Sequence, residues 1–217
     1  MLRSVALMLA LAANPVRACD TALLLAVDIS GSIDAGEYAV QMRGLAQALE
    51  DPDLIDLLIA GQVALAVVHW SGVGRQALVM PWARMRGAGD VVAFADRAAT
   101  LPRAFSASDT AVGEALAFAT AQFAAVPDCR RRVIDISGDG PENAGFTVTR
   151  ARAAAIAQGI EINAIAIEDP GPSSPVTRFY QRWVISPQGF VMTARSVNDY
   201  PRTLRAKLIR ELDRPSS

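Results

Sequence analysis

The sequence predicts an α/β domain with a doubly wound, mostly parallel six-stranded sheet, helices on both faces and one antiparallel edge strand. Three observations support this class. Apolar runs that indicate strands alternate with helical patterns along the chain. The run Ala22–Asp28 is continuously apolar, which is typical of a strand buried on both faces. Only residues 71–75 separate the second and third runs, too few for a crossover helix, so these two strands should form a hairpin.

The first predicted strand ends at Asp28, and a helix follows it. Asp34 and Glu37 have the spacing of a capping box at the start of that helix. Behind them, apolar residues recur every three or four positions, at Tyr38, Met42, Leu45 and Leu49. We expect the helix to end near Asp51 and Pro52, because the residue before a proline disfavours helical geometry.

The rest of the chain continues the alternation. Further strands are predicted at Val63–Trp70, Gln76–Trp82, Arg132–Ser137, Ile160–Ile167 and Gly189–Thr193. Further helices are predicted at Asp90–Thr100, from Val112 to Phe123, at Val148–Gln158 and at Tyr200–Leu212. Gly159 is suited to end the third of these, and residues 171–175 are predicted to form a loop.

The first 18 residues have the pattern of a secretory signal peptide. A positive start at Arg3 precedes the apolar run 4–13, and Val16-Arg17-Ala18 supplies a small-x-small exit. The run is too short to span a bilayer. A lipid on Cys19 is disfavoured because Arg17 is charged. The sequence therefore predicts cleavage after Ala18, a single domain over residues 19–217, and a location in the bacterial periplasm or outside the cell.

Composition excludes several functions. The chain is 52% hydrophobic and 20% charged, which is typical of a folded globular protein. Its net charge of −1 gives no electrostatic reason to bind nucleic acid or an anionic membrane. Two cysteines and one histidine are too few for a Cys/His zinc site. A Ser-His-Asp hydrolase would depend on His69, which lies in an apolar strand, so we interpret it as a core histidine with a satisfied ring.

Oxygen-bearing side chains follow the predicted strands. Asp28, Ser30 and Ser32 place a carboxylate and two hydroxyls on one turn, and hard oxygen ligands suit Mg²⁺, Mn²⁺ or Ca²⁺. Asp139 ends the fourth strand, and Thr110 opens the helix before it. Ligands of open α/β sheets bind beyond the carboxyl ends of the strands. These five side chains meet in one crevice if the first and fourth strands are neighbours.

At these residues the chain resembles the von Willebrand factor A domain and its metal-ion-dependent adhesion site, over nearly all of residues 19–217. The resemblance implies that Ser30 and Ser32 bind Mg²⁺ or Mn²⁺ directly and Thr110 directly or through water. It implies that Asp28 and Asp139 act mostly through water, and that an acidic side chain of a partner protein fills the open coordination position. Within this superfamily, the chain resembles a family of short secreted bacterial proteins with a cysteine before the first strand.

Three acidic or hydroxyl residues leave alternatives open. Asp109 stands where the family usually has glycine, and it either caps the following helix or faces the crevice. In the crevice its charge would strengthen cation binding and weaken the capture of an acidic ligand. Ser108 is an alternative ligand to Thr110. Asp135 falls within a strand and is expected to pair with an arginine such as Arg131 or Arg132, or to face a less covered side.

Three functions from different classes fit this sequence. The first is a non-enzymatic, metal-dependent protein-binding module. The second is a Mg²⁺-dependent phosphatase with Asp28 as nucleophile, although Ser30 stands where dehalogenase-like enzymes have a second aspartate. The third is a metal-free scaffold in which Ser30 and Ser32 only cap the turn.

The two cysteines predict a Cys19–Cys129 disulfide. An exported chain enters an oxidising compartment, and two cysteines allow one intramolecular pairing. Cys19 lies nine residues before Asp28, and Cys129 lies ten before Asp139. If those aspartates end adjacent parallel strands, the cysteines lie side by side at the other end of the sheet.

Overall fold

The computed structural model describes residues 19–106, 108–168, 171 and 173–213. Its strands are β1 Thr21–Asp28, β2 Ala64–Trp70, β3 Gln76–Arg84, β4 Arg131–Gly138, β5 Ile160–Ile167 and β6 Val191–Ala194. Its α-helices are α1 Ala35–Leu49, α2 Pro52–Ala60, α3 Ala88–Ala99, α4 Val112–Gln122, α5 Val148–Ala157, α6 Pro175–Phe179 and α7 Tyr200–Leu212. Short 3₁₀ turns lie at Phe123–Ala125 and Val197–Asp199, and one π-helical turn at Tyr180–Val184.

The strands form one six-stranded sheet in the order β3-β2-β1-β4-β5-β6, which confirms the predicted class. All neighbouring pairs are parallel except β2 and β3, so the predicted antiparallel edge is also confirmed. β1 and β4 are adjacent, with Val27 opposite Ser137. The chain crosses from one half of the sheet to the other between these two strands. Their carboxyl ends therefore form the topological switch point at which α/β sheets bind ligands.

Helices cover both faces of the sheet because β1 is apolar on both. Leu23, Leu25 and Val27 face a core that includes residues of α1, α2, α3 and α7. Leu24 and Ala26 face a second core that includes residues of α4, α5 and α6. Every residue of β1 is buried, including its terminal aspartate. Hence a side chain of β1 can reach solvent or a ligand only where the strand ends.

Two helices were not predicted from the sequence. α2 begins one residue after its N-cap Asp51, whose side chain accepts hydrogen bonds from the backbone of Asp53 and Leu54. α1 ends at Leu49, close to the predicted position, and Pro52 occupies the first turn of a new helix, where proline is tolerated. α6 is only five residues long and passes into the π-helical turn, so its sequence has too few periods to show an amphipathic pattern.

The structure contains the predicted Cys19–Cys129 disulfide, with a Cα–Cα distance of 4.4 Å. The two chain segments are also joined by backbone hydrogen bonds, from Arg130 N to Cys19 O at 3.0 Å and from Arg131 N to Asp20 O at 2.9 Å. The disulfide lies at the amino ends of β1 and β4, and Asp28 lies at the opposite, carboxyl end of β1. The predicted signal peptide, residues 1–18, lies outside the described residues. Within the described ranges, no helix is long and apolar enough to cross a bilayer.

Candidate metal centre

The loop after β1 is held in a compact turn that brings two serine hydroxyls close together. Asp28 is fully buried, and its Oδ1 accepts a 2.7 Å hydrogen bond from Ser30 N. Ser30 O in turn accepts a bond from Ile33 N at 3.1 Å. Asp34 then starts α1 with the predicted capping box. The turn is thus fixed at both ends, and Ser30 Oγ and Ser32 Oγ lie 3.3 Å apart.

Asp139 reaches this turn from the neighbouring strand. It follows Gly138, the last residue of β4, and its Oδ1 accepts a 2.7 Å hydrogen bond from Ser32 Oγ. Ser30, Ser32 and Asp139 therefore form a continuous chain of hydroxyl and carboxylate oxygens across the ends of β1 and β4. Ser30 is buried and Ser32 exposed, so this chain runs from the interior to the surface.

Thr110 belongs to a third segment, which contacts both of the other loops. Ser108 O accepts a 2.7 Å bond from Gly31 N in the serine turn. Thr110 N donates to Asn143 Oδ1 at 2.8 Å, and Thr110 O accepts from Asn143 N at 2.9 Å, in the loop after β4. Thr110 is buried at this junction. Asn143 has no distinctive sequence pattern, and only its position in the fold shows that it holds Thr110.

A second residue that only the structure reveals holds the backbone of the serine turn through hydrogen bonds. Arg103 Nη2 donates to Ile29 O at 2.6 Å and to Ser30 O at 2.9 Å. Both carbonyls lie in the turn that presents Ser30 Oγ. Because arginine places several donors in a fixed plane, one side chain can hold two consecutive carbonyls. Arg103 therefore fixes the backbone of the turn.

The predicted roles of Asp109 and Asp135 are corrected by the structure. Ala111, and not Asp109, is the N-cap of α4, and no side chain caps the helix at that residue. Glu142 takes this part: its Oε1 accepts from Gly113 N in α4 and its Oε2 from Val148 N in α5. Asp109 is exposed beside the turn. Asp135 is buried and pairs with Lys207 rather than with an arginine.

The interpretation of His69 is partly wrong. It is buried in β2 as predicted, but neither ring nitrogen has a hydrogen-bond partner. The ring instead packs edge-on against Tyr38, with 5.5 Å between centroids. Burial, followed by the charge of Arg103, lowers the pKa of His69 to about 4, so the ring is neutral at physiological pH.

The carboxylate of Asp28 is electrostatically strained. Burial, with a further contribution from the charge of Asp139, raises the pKa of Asp28 to about 7. Its Oδ2 is buried and has no hydrogen-bond partner. A buried acceptor left unpaired is costly, and two facing carboxylates repel each other. A divalent cation in front of the turn would compensate both, and its preferred oxygen donors are present.

Aromatic side chains form the floor of this site, around Gly138. A Cβ atom at Gly138 would overlap Tyr180 Oη and lie 2.9 Å from Asp28 Oδ2 and 3.3 Å from Trp70 Cζ2. Tyr180 Oη and Trp70 Nε1 are buried and, like Asp28 Oδ2, have no hydrogen-bond partner. Burial, together with the charges of Asp28 and Asp139, holds the pKa of Tyr180 well above its usual value. Glycine at position 138 is therefore required for Tyr180 to approach the carboxylate.

The site has few carboxylates and many hydroxyls. Among the residues that the structure describes, no group of three or more His, Cys, Asp and Glu side chains is arranged to hold a metal ion. The structure instead brings together two aspartates, two serines and a threonine-bearing segment. Such a donor set suits a hard cation, and it differs from the His- and Cys-rich sites of zinc enzymes.

The fold is that of von Willebrand factor A-type domains. The chain belongs to the family described as "Protein of unknown function (DUF1194)", whose model matches residues 18–216. No curated protein sequence is significantly similar to it.

Solved structures share the fold at low sequence identity. A von Willebrand factor type A protein from Catenulispora acidiphila is 18% identical, with a TM-score of 0.67, over 91% of this chain and 44% of that one. Proximal thread matrix protein 1 from the mussel byssus, with a zinc-occupied MIDAS motif, is 18% identical, with a TM-score of 0.65, over 90% and 48%. BatB from Bacteroides thetaiotaomicron is 17% identical, with a TM-score of 0.59, over 89% and 98%. This chain thus spans less than half of the first two.

Proposed function

We propose that this protein binds a divalent cation at Asp28, Ser30, Ser32, Thr110 and Asp139 and uses it to capture an acidic group of a partner protein. The observation that carries the proposal is the line of oxygens from Ser30 through Ser32 to Asp139, next to the unpartnered Oδ2 of Asp28. Mg²⁺ or Mn²⁺ is the cation that these oxygens suit. One structural neighbour carries zinc in its MIDAS motif, which supports a divalent ion in this fold.

Each side chain has a distinct part in this proposal. Ser30 and Ser32 supply direct hydroxyl ligands, and Thr110 acts directly or through water. Asp28 and Asp139 hold ordered water and balance the charge of the cation. When bound, the cation supplies a positive centre for a carboxylate of the partner. Asp109 is exposed beside the turn, and its negative charge tunes that attraction downward.

The disulfide and the signal-peptide pattern both support a role outside the cytoplasm. Disulfides persist in oxidising compartments, and the structure contains one between Cys19 and Cys129. The segment before Cys19 has the signal-peptide pattern in the sequence. We therefore place the binding function in the periplasm or at the cell exterior, as a protein-binding rather than an enzymatic activity.

The burial of Asp28 favours the binding function over the phosphatase alternative. A nucleophilic carboxylate must approach the phosphorus atom of its substrate directly. Asp28 has no exposed surface, and one of its oxygens is bonded to Ser30 N. This geometry suits a buried group that balances the charge of a cation without contacting a substrate.

The test is cation-dependent capture of a partner. Immobilised mature protein is incubated with periplasmic extract of its own organism in Mg²⁺, in Mn²⁺ and in a chelator, in parallel with Ser30→Ala. We expect a partner that is retained with either cation and lost with the chelator and with the variant. Acetate at high concentration should compete, because it presents the same carboxylate. A partner retained equally in all conditions would contradict the metal-dependent function, and turnover of a generic phosphate ester with Mg²⁺ would favour the phosphatase.

A further inference from the structure

A fully buried lysine lies between two buried carboxyl groups, away from the metal centre. Lys207 Nζ is 2.6 Å from Asp135 Oδ2 and 2.7 Å from Glu211 Oε1. Lys207 is 0% exposed, Asp135 3% and Glu211 1%. Asp135 lies in the middle of β4, whereas Lys207 and Glu211 are one turn apart on α7. The cluster therefore joins the last helix directly to a central strand.

Lys207 Nζ lies against Asp135 Oδ2 as a close ion-pair contact. By contrast, Glu211 Oε1 accepts hydrogen bonds from Lys207 Nζ and from Asn163 Nδ2, both at 2.7 Å. The amine is thus oriented by Glu211 while it lies against the carboxyl group of Asp135.

The choice of lysine here is informative. Lys207 is the only lysine among the 21 basic residues of the sequence. Arginine is the side chain best suited to a buried ion pair, whereas the lysine amine can lose its proton and act as a nucleophile. A simple ion pair would also leave two carboxylates sharing one buried cation, which is an expensive arrangement. The only lysine of the sequence is thus placed against the carboxyl group of Asp135.

Burial favours the neutral form of the two carboxyl groups. The ring of Phe190 lies 5.2 Å from Lys207 Nζ, a contact that favours the ammonium form of the amine. Burial raises the pKa of Asp135, and it raises the pKa of Glu211 to about 7. A carboxyl group that titrates near neutrality is suited to give and to take a proton. The cluster thus combines an amine, an electrophilic carboxyl group and an acid–base group in a site closed to solvent.

We propose that Lys207 and Asp135 condense to an intramolecular isopeptide bond, with Glu211 as the acid–base group. Lys207 Nζ forms a bond to Asp135 Cγ, and one Cγ–O bond of Asp135 breaks. Glu211 carries protons from the nitrogen to the departing oxygen, which leaves as one water molecule. The ammonium and the carboxylate together contain all the atoms of the amide and that water, so no oxidant, reductant or other reactant is needed.

Proximity and exclusion of water make the condensation possible. Two groups held in contact react with a very high effective concentration, and a dry site disfavours hydrolysis of the amide. The product would attach α7 covalently to β4, as the disulfide attaches the start of β1 to the segment before β4. Both terminal elements of the domain would then be cross-linked to its centre. This inference does not depend on the metal site.

The test is the intact mass of the mature wild-type protein after reduction of its disulfide. We expect a mass about 18 Da, one water molecule, below that of the mature sequence. Trypsin digestion should yield peptides 133–150 and 206–210 joined to each other, because the amide blocks cleavage after Lys207. The full sequence mass in folded wild-type protein would overturn the proposal, whatever the variants show.

Two variants distinguish the isopeptide bond from other reactions in which the protein loses a water molecule. Lys207→Arg removes the nucleophile, and Glu211→Gln removes the acid–base group while keeping its size, so both should have the full mass. Asp139-Gly140 can lose water to form a succinimide, but this loss would lie within peptide 133–150 alone and would persist in Lys207→Arg. That result would overturn the cross-link. A cross-link that forms equally in Glu211→Gln would overturn the assignment of Glu211.

Discussion

Asp28 ends β1 and Asp139 directly follows the parallel neighbour β4, and the charge of Asp139 adds to burial in raising the pKa of Asp28 to about 7. The serine turn lies between them, with Ser32 Oγ bonded to Asp139 and Ser30 N bonded to Asp28. Without a cation, the fold therefore holds two carboxylates together at an energetic cost. This relationship is the physical basis for expecting that a divalent ion stabilises the protein.

Mg²⁺ or Mn²⁺ should raise the melting temperature of the mature protein. A ligand at about 100 times its Kd contributes about 2.7 kcal/mol, which for a chain of this size is a rise of roughly 5–11 °C. Ser30→Ala should largely abolish the rise, because it removes a direct ligand from an ion that demands regular oxygen coordination. Thermal unfolding and calorimetric titration with each cation measure this effect.

Ser173→Ala is the matched control, since Ser173 is an exposed serine outside the serine turn. It should bind the cation as the wild type does. Unchanged titration heats in Ser30→Ala and Ser32→Ala would contradict the site.

Gly138→Ala should destabilise the protein through a clash at the floor of the site. The new methyl group would overlap Tyr180 Oη and approach Asp28 Oδ2 to 2.9 Å. Overpacking of this kind typically costs about 1–3 kcal/mol. In Tyr180→Phe, which lacks the hydroxyl, the same Gly138→Ala change should cost less. Urea unfolding of the two single variants and the double variant measures the coupling, and strictly additive costs would show that Tyr180 is not the obstructing group.

The lowered pKa of His69 should make the folded protein less stable in mild acid. Its pKa is about 4 in the folded state and about 6.5 when unfolded, so the unfolded state binds more protons between these values. The His69 contribution is therefore complete above pH 6.5 and is lost as the pH falls toward 4. Asp28 and Glu211 have raised pKa values and act in the opposite direction, so the comparison must isolate His69.

The comparison is between the wild type and His69→Leu, by urea unfolding at pH 7.5 and pH 5. On going to pH 5, the wild type should lose about 1–2 kcal/mol more than the variant. Equal losses would mean that the ring of His69 becomes protonated in the folded state as easily as in the unfolded one.

Loss of the disulfide should reduce stability without impairing cation binding. The bond joins residues 110 positions apart, and closing so long a loop contributes roughly 3–5 kcal/mol on the chain-entropy model. It lies at the amino ends of β1 and β4, a full strand away from Asp28. The double variant Cys19→Ala/Cys129→Ala should therefore unfold at lower urea concentration and keep the Mg²⁺ affinity of the wild type. A large loss of affinity would show that the two ends of β1 are coupled.

Most of the candidate site could be predicted because it lies at strand ends. Asp28 and Asp139 each follow an apolar run, and parallel neighbouring strands bring their carboxyl ends to one edge. The cysteines were predictable for the same reason, since equal spacing from the two aspartates puts them in register at the other edge. The sequence missed α2 and α6, because helices this short show no clear periodicity.

By itself, the sequence determined the order of the six strands, the edge hairpin, the turn of Asp28, Ser30 and Ser32, and the only possible disulfide, because each depends on local pattern or on count. Only the tertiary structure decided that Lys207 meets Asp135, that Arg103 holds the serine turn and that Tyr180 reaches Asp28 across Gly138. These contacts join segments far apart in the chain. They depend on how each helix is rotated and seated on the sheet, which packing of the whole core determines and local periodicity does not.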